Sequence, residues 1–224
     1  MCGRFKLSTD LHELTRHFDF ADRPNLPARF NIAPTQDIAV VREGEGGDGR
    51  ELAMLRWGLV PFWAKDAKVG YSTFNARAEG IEGKPAFRDA LKRRRCLVPA
   101  DGFYEWKKLD GGKVKQPYLI ELAEGGPFAF AGLWERWQAP DGGVLQSATI
   151  VTTRANEAMA ALHDRMPVIL APADFGRWLD PGRPDAQDLL APCPSDWLTM
   201  RPVSRELNNA RNEGEGLIGP VNPA

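Results

Sequence analysis

Cys2, Glu105 and His163 are side chains that could make a covalent bond or move protons, and Asn75 is one that could orient a reactant. The cysteine stands directly behind the initiator methionine in "MCGRF". Trimming enzymes remove a methionine that precedes a small residue, which would leave Cys2 with a free α-amine and a thiol on adjacent carbons. Unperturbed, the amine titrates near ~7.7–8.0 and the thiol near ~8.5, so both are partly nucleophilic at neutral pH. Position alone fits a small residue ahead of a β-strand equally well. In "DGFYEWKK", a strand puts Tyr104 and Trp106 on one side and Phe103 and Glu105 on the other. Aromatic residues on both faces predict a central strand with Glu105 drawn inward. A carboxylate there must be paired, hydrogen-bonded or protonated, and a structural ion pair satisfies that as readily as catalysis does.

His163 in "LHDRMPVIL" falls between a helix and a strand, beside Asp164 and Arg165, where a capping role and a chemical one are both open. In "STFNARAE", extended backbone makes Asn75 and Arg77 same-side neighbours. That pair suits an amide that orients a reactant and a guanidinium that holds a phosphate or carboxylate. In "RWGLVPFWAKD", Phe62 and Trp63 beside Lys65 could stack on unpaired bases, while Trp57 reads as a core anchor. "KRRR" at Lys92 to Arg95 supplies cations to a helix C-terminus and could widen a basic face. Cys96 reads as a small buried hydrophobe, and Cys193 carries no signal.

Bulk properties narrow the classes. A net charge of -1 over 224 residues gives no global signal for nucleic acid, so any such site must be a local patch. No stretch approaches the ~20 apolar residues that span a membrane. The first residues lack the apolar core of a secretion signal, so a cytoplasmic location is expected. Three cysteines make no complete disulfide set. Without C-x-x-C or H-E-x-x-H, and with His12 and His17 on different sides of a helix, no metal is expected.

The elements that must position these residues follow from periodicity. "CGRFKL" reads as a first strand and "STDLHELTRHF" as a helix with Leu11, Leu14 and Phe18 on one stripe, capped by Ser8, Thr9 or Asp10. "DIAVV" and "ELAMLRWG" read as strands around an exposed tip, "REGEGGDGR". "KPAFRDALKRRR" is a short helix, followed by strands in "CLVP", "GFYEWKK", "PYLIEL", "FAFAGLWERW" and "LQSATIVTT". "ANEAMAALH", "PADFGRWL" and "PDAQDLL" are helical pieces; "MPVIL" and "DWLTMRPVS" are strands, the last running into a polar tail. Strands outnumber helices and short turns join them. The expectation is one α+β domain over residues 1–224, a mostly antiparallel β-sheet core with flanking short helices.

Taken in order, "MCGRF", "RFNIAPTQ", "RWGLVPFWAKD", "FNARAE", "CLVPADGFYEWKK", "LHDRMPVIL" and "PVSRELNNARNEGEGLIGPV" closely resemble the SOS-response-associated peptidase (SRAP) family. The resemblance implies a DNA-damage-response protein that crosslinks covalently to abasic sites in single-stranded DNA. By it, Cys2 matches the crosslinking residue, and Asn75, Glu105 and His163 match other active-site positions. Arg4, Asn31, Trp63, Arg77, Thr152 and Arg165 fall where relatives line the DNA surface, and Phe62 stands where some carry a second tryptophan. It further implies no cofactor, no membrane, a monomer associated with the nucleoid when bound to DNA and weak lyase activity, with self-removal of Met1 as the mildest form of a peptidase activity. A cysteine peptidase using Cys2, assisted by His163 or Glu105, and a non-covalent single-strand binder are the alternatives.

Overall fold

The computed structural model describes residues 2–221 apart from Arg23, Glu45, Gly47, Asp48 and Lys113. The chain runs, in order, through β1 (Phe5–Leu7), α1 (Leu11–Phe18), β2 (Arg29–Ile32), β3 (Asp37–Glu43), β4 (Arg50–Trp57) and β5 (Asn75–Arg77). Next come α2 (Arg88–Arg93), β6 (Arg95–Ala100), β7 (Gly102–Leu109), β8 (Val114–Leu122), β9 (Phe128–Gln138) and β10 (Val144–Arg154). It ends with α3 (Glu157–Ala160), β11 (Arg165–Pro167), β12 (Ile169–Leu170), α4 (Phe175–Leu179) and β13 (Leu198–Pro202). The fold is mixed α+β, as the alternation of short strands and turns predicts.

One sheet is antiparallel in the order β13-β8-β7-β1-β2, so β7 is central and carries Glu105 between two covered faces. The other strands close on themselves. β10 pairs with β4, β4 with β3, β3 with β6, β6 with β9, and β9 with β10 again. Closure leaves these five strands no long open edge to template aggregation. Arg42 of β3 shows where the lumen is. Its guanidinium reaches Glu51 of β4 at 2.6 Å and Gln146 of β10 at 3.1 Å, and stacks 4.0 Å from the ring of Trp134 of β9. Four strands meet there across the interior and plug one end. At the other end, Phe5 of the flat sheet sits edge-on to Trp57 at 5.2 Å and Phe130 at 5.9 Å.

Several local expectations change in this setting. "MPVIL" is two strands, because β11 pairs with β10 and β12 with β9, with Val168 bridging both lines through bonds to Val151 and Ala131. β10 takes β4 and β5 as parallel partners, so the sheet is not antiparallel throughout. "RFNI" forms a strand that periodicity does not announce, and "ANEAMAALH" is one helical turn capped by Asn156. The tail after β13 is packed, not free: Leu207 and Leu217 close over Tyr104 and Leu119 on the outer face of the flat sheet. "REGEGGDGR" joins β3 to β4 as a hairpin, although Glu45, Gly47 and Asp48 of its tip lie outside the described residues. "KRRR" divides: Lys92 and Arg93 are exposed, Arg94 pairs with Glu135 at 2.7 Å, and buried Arg95 donates to the Trp178, Asp180 and Arg183 carbonyls.

Residues 58–74 are an excursion from a single strand line, since β4 and β5 lie successively along β10. Gly58 and Gly70 pinch its base. A Cβ on Gly58 would meet the Gly70 carbonyl oxygen at 2.4 Å, and Gly58 has φ of +133°. Trp137 Nε1 donates to the Ala64 carbonyl at 2.7 Å and the Val60 N–H to Ser147 Oγ at 2.8 Å, pinning the loop across β10. Gly58→Ala is expected to destabilise the protein by at least ~1–3 kcal/mol from backbone strain alone. Urea unfolding followed by tryptophan fluorescence measures it, and an unchanged midpoint would show that the pinch is not needed.

Candidate active site

Strand pairing brings the chain start to the carboxylate. Phe5 lies opposite Phe103, and the Tyr104 N–H donates to the Arg4 carbonyl at 3.0 Å, which sets the residues before β1 alongside β7. Cys2 is fully buried. Asn75, the first residue of β5, donates from Nδ2 to the Cys2 carbonyl at 2.7 Å. Its Oδ1 is buried without a hydrogen-bond partner among the described residues, an acceptor left available to a donor from outside. One carboxamide thus clamps the cysteine backbone and keeps a lone pair free beside it.

Glu105 is 3% exposed, and burial raises its pKa to about 7, with the Asp164 charge pushing the same way. Burial, and then the Glu105 charge, push the Cys2 thiol well above its ordinary value. The thiol therefore rests protonated, unlike the low-pKa thiolate of an activated nucleophilic cysteine. These mutual effects place Cys2, Glu105 and the 163–165 turn in one electrostatic environment. At that turn the Arg165 N–H donates to His163 Nδ1 at 2.9 Å, and Asp164 Oδ1 is 2.8 Å from the same nitrogen. Both cannot be satisfied by one protonation state. Burial lowers the His163 pKa, so the neutral ring with Nδ1 accepting and the proton on Nε2 is assigned. His163 is then a donor through Nε2, and protonation would turn Nδ1 toward Asp164.

The residues expected on a DNA surface divide into two groups. Phe62 and Trp63 are 53% and 52% exposed. Arg77 is exposed at the end of β5 and forms no ion pair among the described residues. Asn31 and Thr152, by contrast, are buried at 1% and 0% exposure. Asn31 Nδ2 donates to the carbonyls of Asn209 at 3.1 Å and Asn212 at 2.9 Å, and its Oδ1 accepts from Arg4 at 2.6 Å. Arg4 also donates to the Leu207 carbonyl at 2.9 Å. Asn31 and Arg4 therefore hold the 205–213 segment against the flat sheet. Thr152 accepts from Arg165 through its carbonyl at 2.7 Å, and Arg165 pairs with Glu79 at 2.7 Å.

Residue chemistry alone missed three neighbours. Glu79 lies inside the quoted "FNARAE", but its partner is 86 positions away. Trp106 donates to Asn208 Oδ1 at 2.6 Å and carries the Arg4 guanidinium 5.8 Å over its ring. Asp164, at the His163 ring, was visible only as a sequence neighbour. Among the described residues no three His, Cys, Asp or Glu side chains gather as a metal site. No helix is long and apolar enough to cross a membrane.

The fold and its clamped cysteine define a mixed α+β protein in which Cys2 is built into the interior. The chain belongs to the SRAP family: residues 1–210 match SOS response associated peptidase (SRAP). It is 43% identical over 224 residues to the abasic site processing protein YoqW of Bacillus subtilis, covering 97% of this chain and 99% of that one. To the abasic site processing protein HMCES of Mus musculus it is 32% identical over 270 residues, covering 99% of this chain and 76% of that one. A solved protein from Bacteroides thetaiotaomicron shares the fold with a TM-score of 0.88 at 23% identity, covering 99% of this chain and all of its own. One from Bordetella bronchiseptica superposes with a TM-score of 0.80 at 29% identity, over 91% of this chain and all of that one.

The raised Glu105 pKa has a consequence for stability. Its folded value of about 7 exceeds the ordinary value of 4.5, so the folded protein binds more protons between these pH values. Ionisation of Glu105 therefore adds no penalty at low pH and roughly 3 kcal/mol once pH rises above the folded pKa. Glu105→Gln should gain about that much over wild type at about pH 8 compared with about pH 4. Urea denaturation of both proteins at the two pH values checks it; a pH-independent difference would contradict the raised pKa.

Proposed function

We propose that this protein processes abasic sites in single-stranded DNA by capturing them covalently on Cys2, once Met1 has been removed. The names of YoqW and HMCES support the damage class. The observation that carries the covalent step is the clamp on Cys2: a residue next to the chain start, where ends ordinarily fray, is buried and tied by Asn75 beside Glu105. Such fixing makes sense when the residue's own amine and thiol must meet a bound aldehyde.

The steps follow from the groups present. An abasic sugar equilibrates between a closed hemiacetal and an open aldehyde. Glu105, with a pKa of about 7, takes the proton from the anomeric hydroxyl while His163 Nε2–H donates to the departing ring oxygen. The Cys2 amine adds to the aldehyde carbon, and loss of one water, protonated by Glu105, gives the imine. The thiol then adds across the carbon–nitrogen double bond. Sulfur bonds to carbon, the proton passes to nitrogen, and a five-membered thiazolidine closes with the advantage of proximity. Elimination from the imine before closure would cut the strand, which accounts for weak lyase activity. A peptidase reading requires a thiolate at Cys2, and both burial and Glu105 oppose that.

Single-stranded DNA fits the aromatic surface, because a base must be unstacked to meet Phe62 or Trp63. Arg77 is the phosphate anchor nearest Asn75. Denaturing gels with an abasic oligonucleotide test the chemistry. Wild type should give an adduct that survives denaturation, and Cys2→Ala only an imine that a hydride reductant traps. Protein that retains Met1 should give neither product. A stable adduct formed by Met1-retaining protein would overturn the mechanism, and no trapped species with any form would overturn covalent capture.

A further inference from the structure

The loop that carries Phe62 borders an open cleft of mixed polar and apolar lining. Phe62, then Asp89, Arg93 and Arg94 from α2 and its C-terminal end, with Trp134, Glu135 and Arg136 of β9, line about 580 Å³, within the range of small-ligand sites. Its charge is unbalanced. Arg94 is spent on Glu135 at 2.7 Å, and Asp89 lies 4.0 Å from Arg88. Arg93 and Arg136 are exposed, and neither guanidinium forms an ion pair among the described residues. An aromatic ring 53% exposed beside two uncompensated guanidiniums is the pairing that binds a base and its phosphate.

The cleft and the candidate active site lie along the same strand, β10. Phe62 and Trp63 are adjacent on a loop held in place by Gly58, Ser147 and Trp137. Asn75 pairs with Ile150 of β10, and Arg136 pairs with Gln146 of the same strand. Four residues separate the two levels by roughly 13 Å along β10, with Asn75 and Arg136 on opposite flanks of that strand. A strand held at Cys2 and led across Trp63 and Phe62 would reach the cleft within a few nucleotides.

We infer that this cleft is a second nucleotide subsite for the same DNA strand: Phe62 stacks on an unpaired base, and Arg93 and Arg136 hold the flanking phosphates. The inference rests on the single-strand reading proposed above. It gives the exposed half of "KRRR" a task that the helix terminus does not require. It also confines recognition to one side of the abasic site, because one loop leads to one cleft.

Oligonucleotide length tests it. Wild type is compared on an abasic trinucleotide and on strands of roughly ten nucleotides extended on the 5′ side or the 3′ side alone. One extension is expected to accelerate adduct formation about tenfold and the other to do little. In the Arg93→Ala/Arg136→Ala double variant most of that gain should vanish. The salt slope on the favoured strand should fall by about 1.4, the value for two phosphate contacts on single strands. Arg93→Lys/Arg136→Lys should restore the slope, and Phe62→Ala should lose the length gain with the slope intact. A double variant with the wild-type length gain and slope would overturn the subsite. If wild type forms no adduct on any strand, covalent capture fails instead. Fluorescence anisotropy on intact single strands then judges the cleft by the same variants and the same slope.

Discussion

The hydrogen bond from Asn75 Nδ2 to the Cys2 carbonyl joins the two halves of the molecule where its chemistry is proposed to occur. Cys2 leads into β1 of the flat sheet, and Asn75 opens β5 on the flank of the barrel. Without that bond Cys2 would depend on the hydrogen bonds of Arg4 to Tyr104, Asn31 and Leu207 and on β1, which is three residues long. Asn75 can reach Cys2 because β5 resumes the line of β4 after the excursion of residues 58–74. The loop bearing Phe62 and Trp63 and the clamp on Cys2 are consequently parts of one interrupted strand. A change that shifts the Gly58–Gly70 pinch would be felt at both.

Around that clamp the electrostatics favour proton exchange over a resting thiolate. Glu105 is buried by the flat sheet on one face and the main core on the other, and its pKa rises to about 7 because the charged form is poorly solvated. A carboxyl group poised there can be acid in one step and base in the next at neutral pH. Its charge, with burial, keeps the Cys2 thiol protonated until an electrophile arrives. His163 complements it as a donor whose tautomer is set by a backbone N–H. The polar groups farther out have a different task. Arg4 and Asn31 fasten the 205–213 segment to the outer face of the sheet whose inner face carries Glu105.

What the sequence makes legible depends on the range of the interaction. The period-two pattern of "GFYEWKK" identified a central strand and an inward Glu105, and β7 has that position and burial. The Asn75–Arg77 pair on extended backbone was equally local. Barrel closure was not legible, because the parallel pairing of β4 with β10 joins Trp57 to Ala148 with no local signature. The splitting of "MPVIL" has the same origin: two different partners compete for five residues. Asn31, a single amide between Phe30 and Ile32, gives no hint that a segment 176 or more positions away will bury it. The site roles themselves came from the order of motifs, not from the chemistry of each residue, which alone left structural alternatives open.

The central claim is that both nucleophiles of Cys2 end up bonded to the sugar carbon. The most direct measurement is the intact mass of the protein–DNA adduct after denaturation and thiol alkylation. The expected mass is that of protein without Met1 plus oligonucleotide, less one water, with alkyl groups on two of the three cysteines. The amine accounts for the lost water and the thiol for the missing alkyl group. An adduct that retains Met1, or one alkylated at all three cysteines, would contradict it.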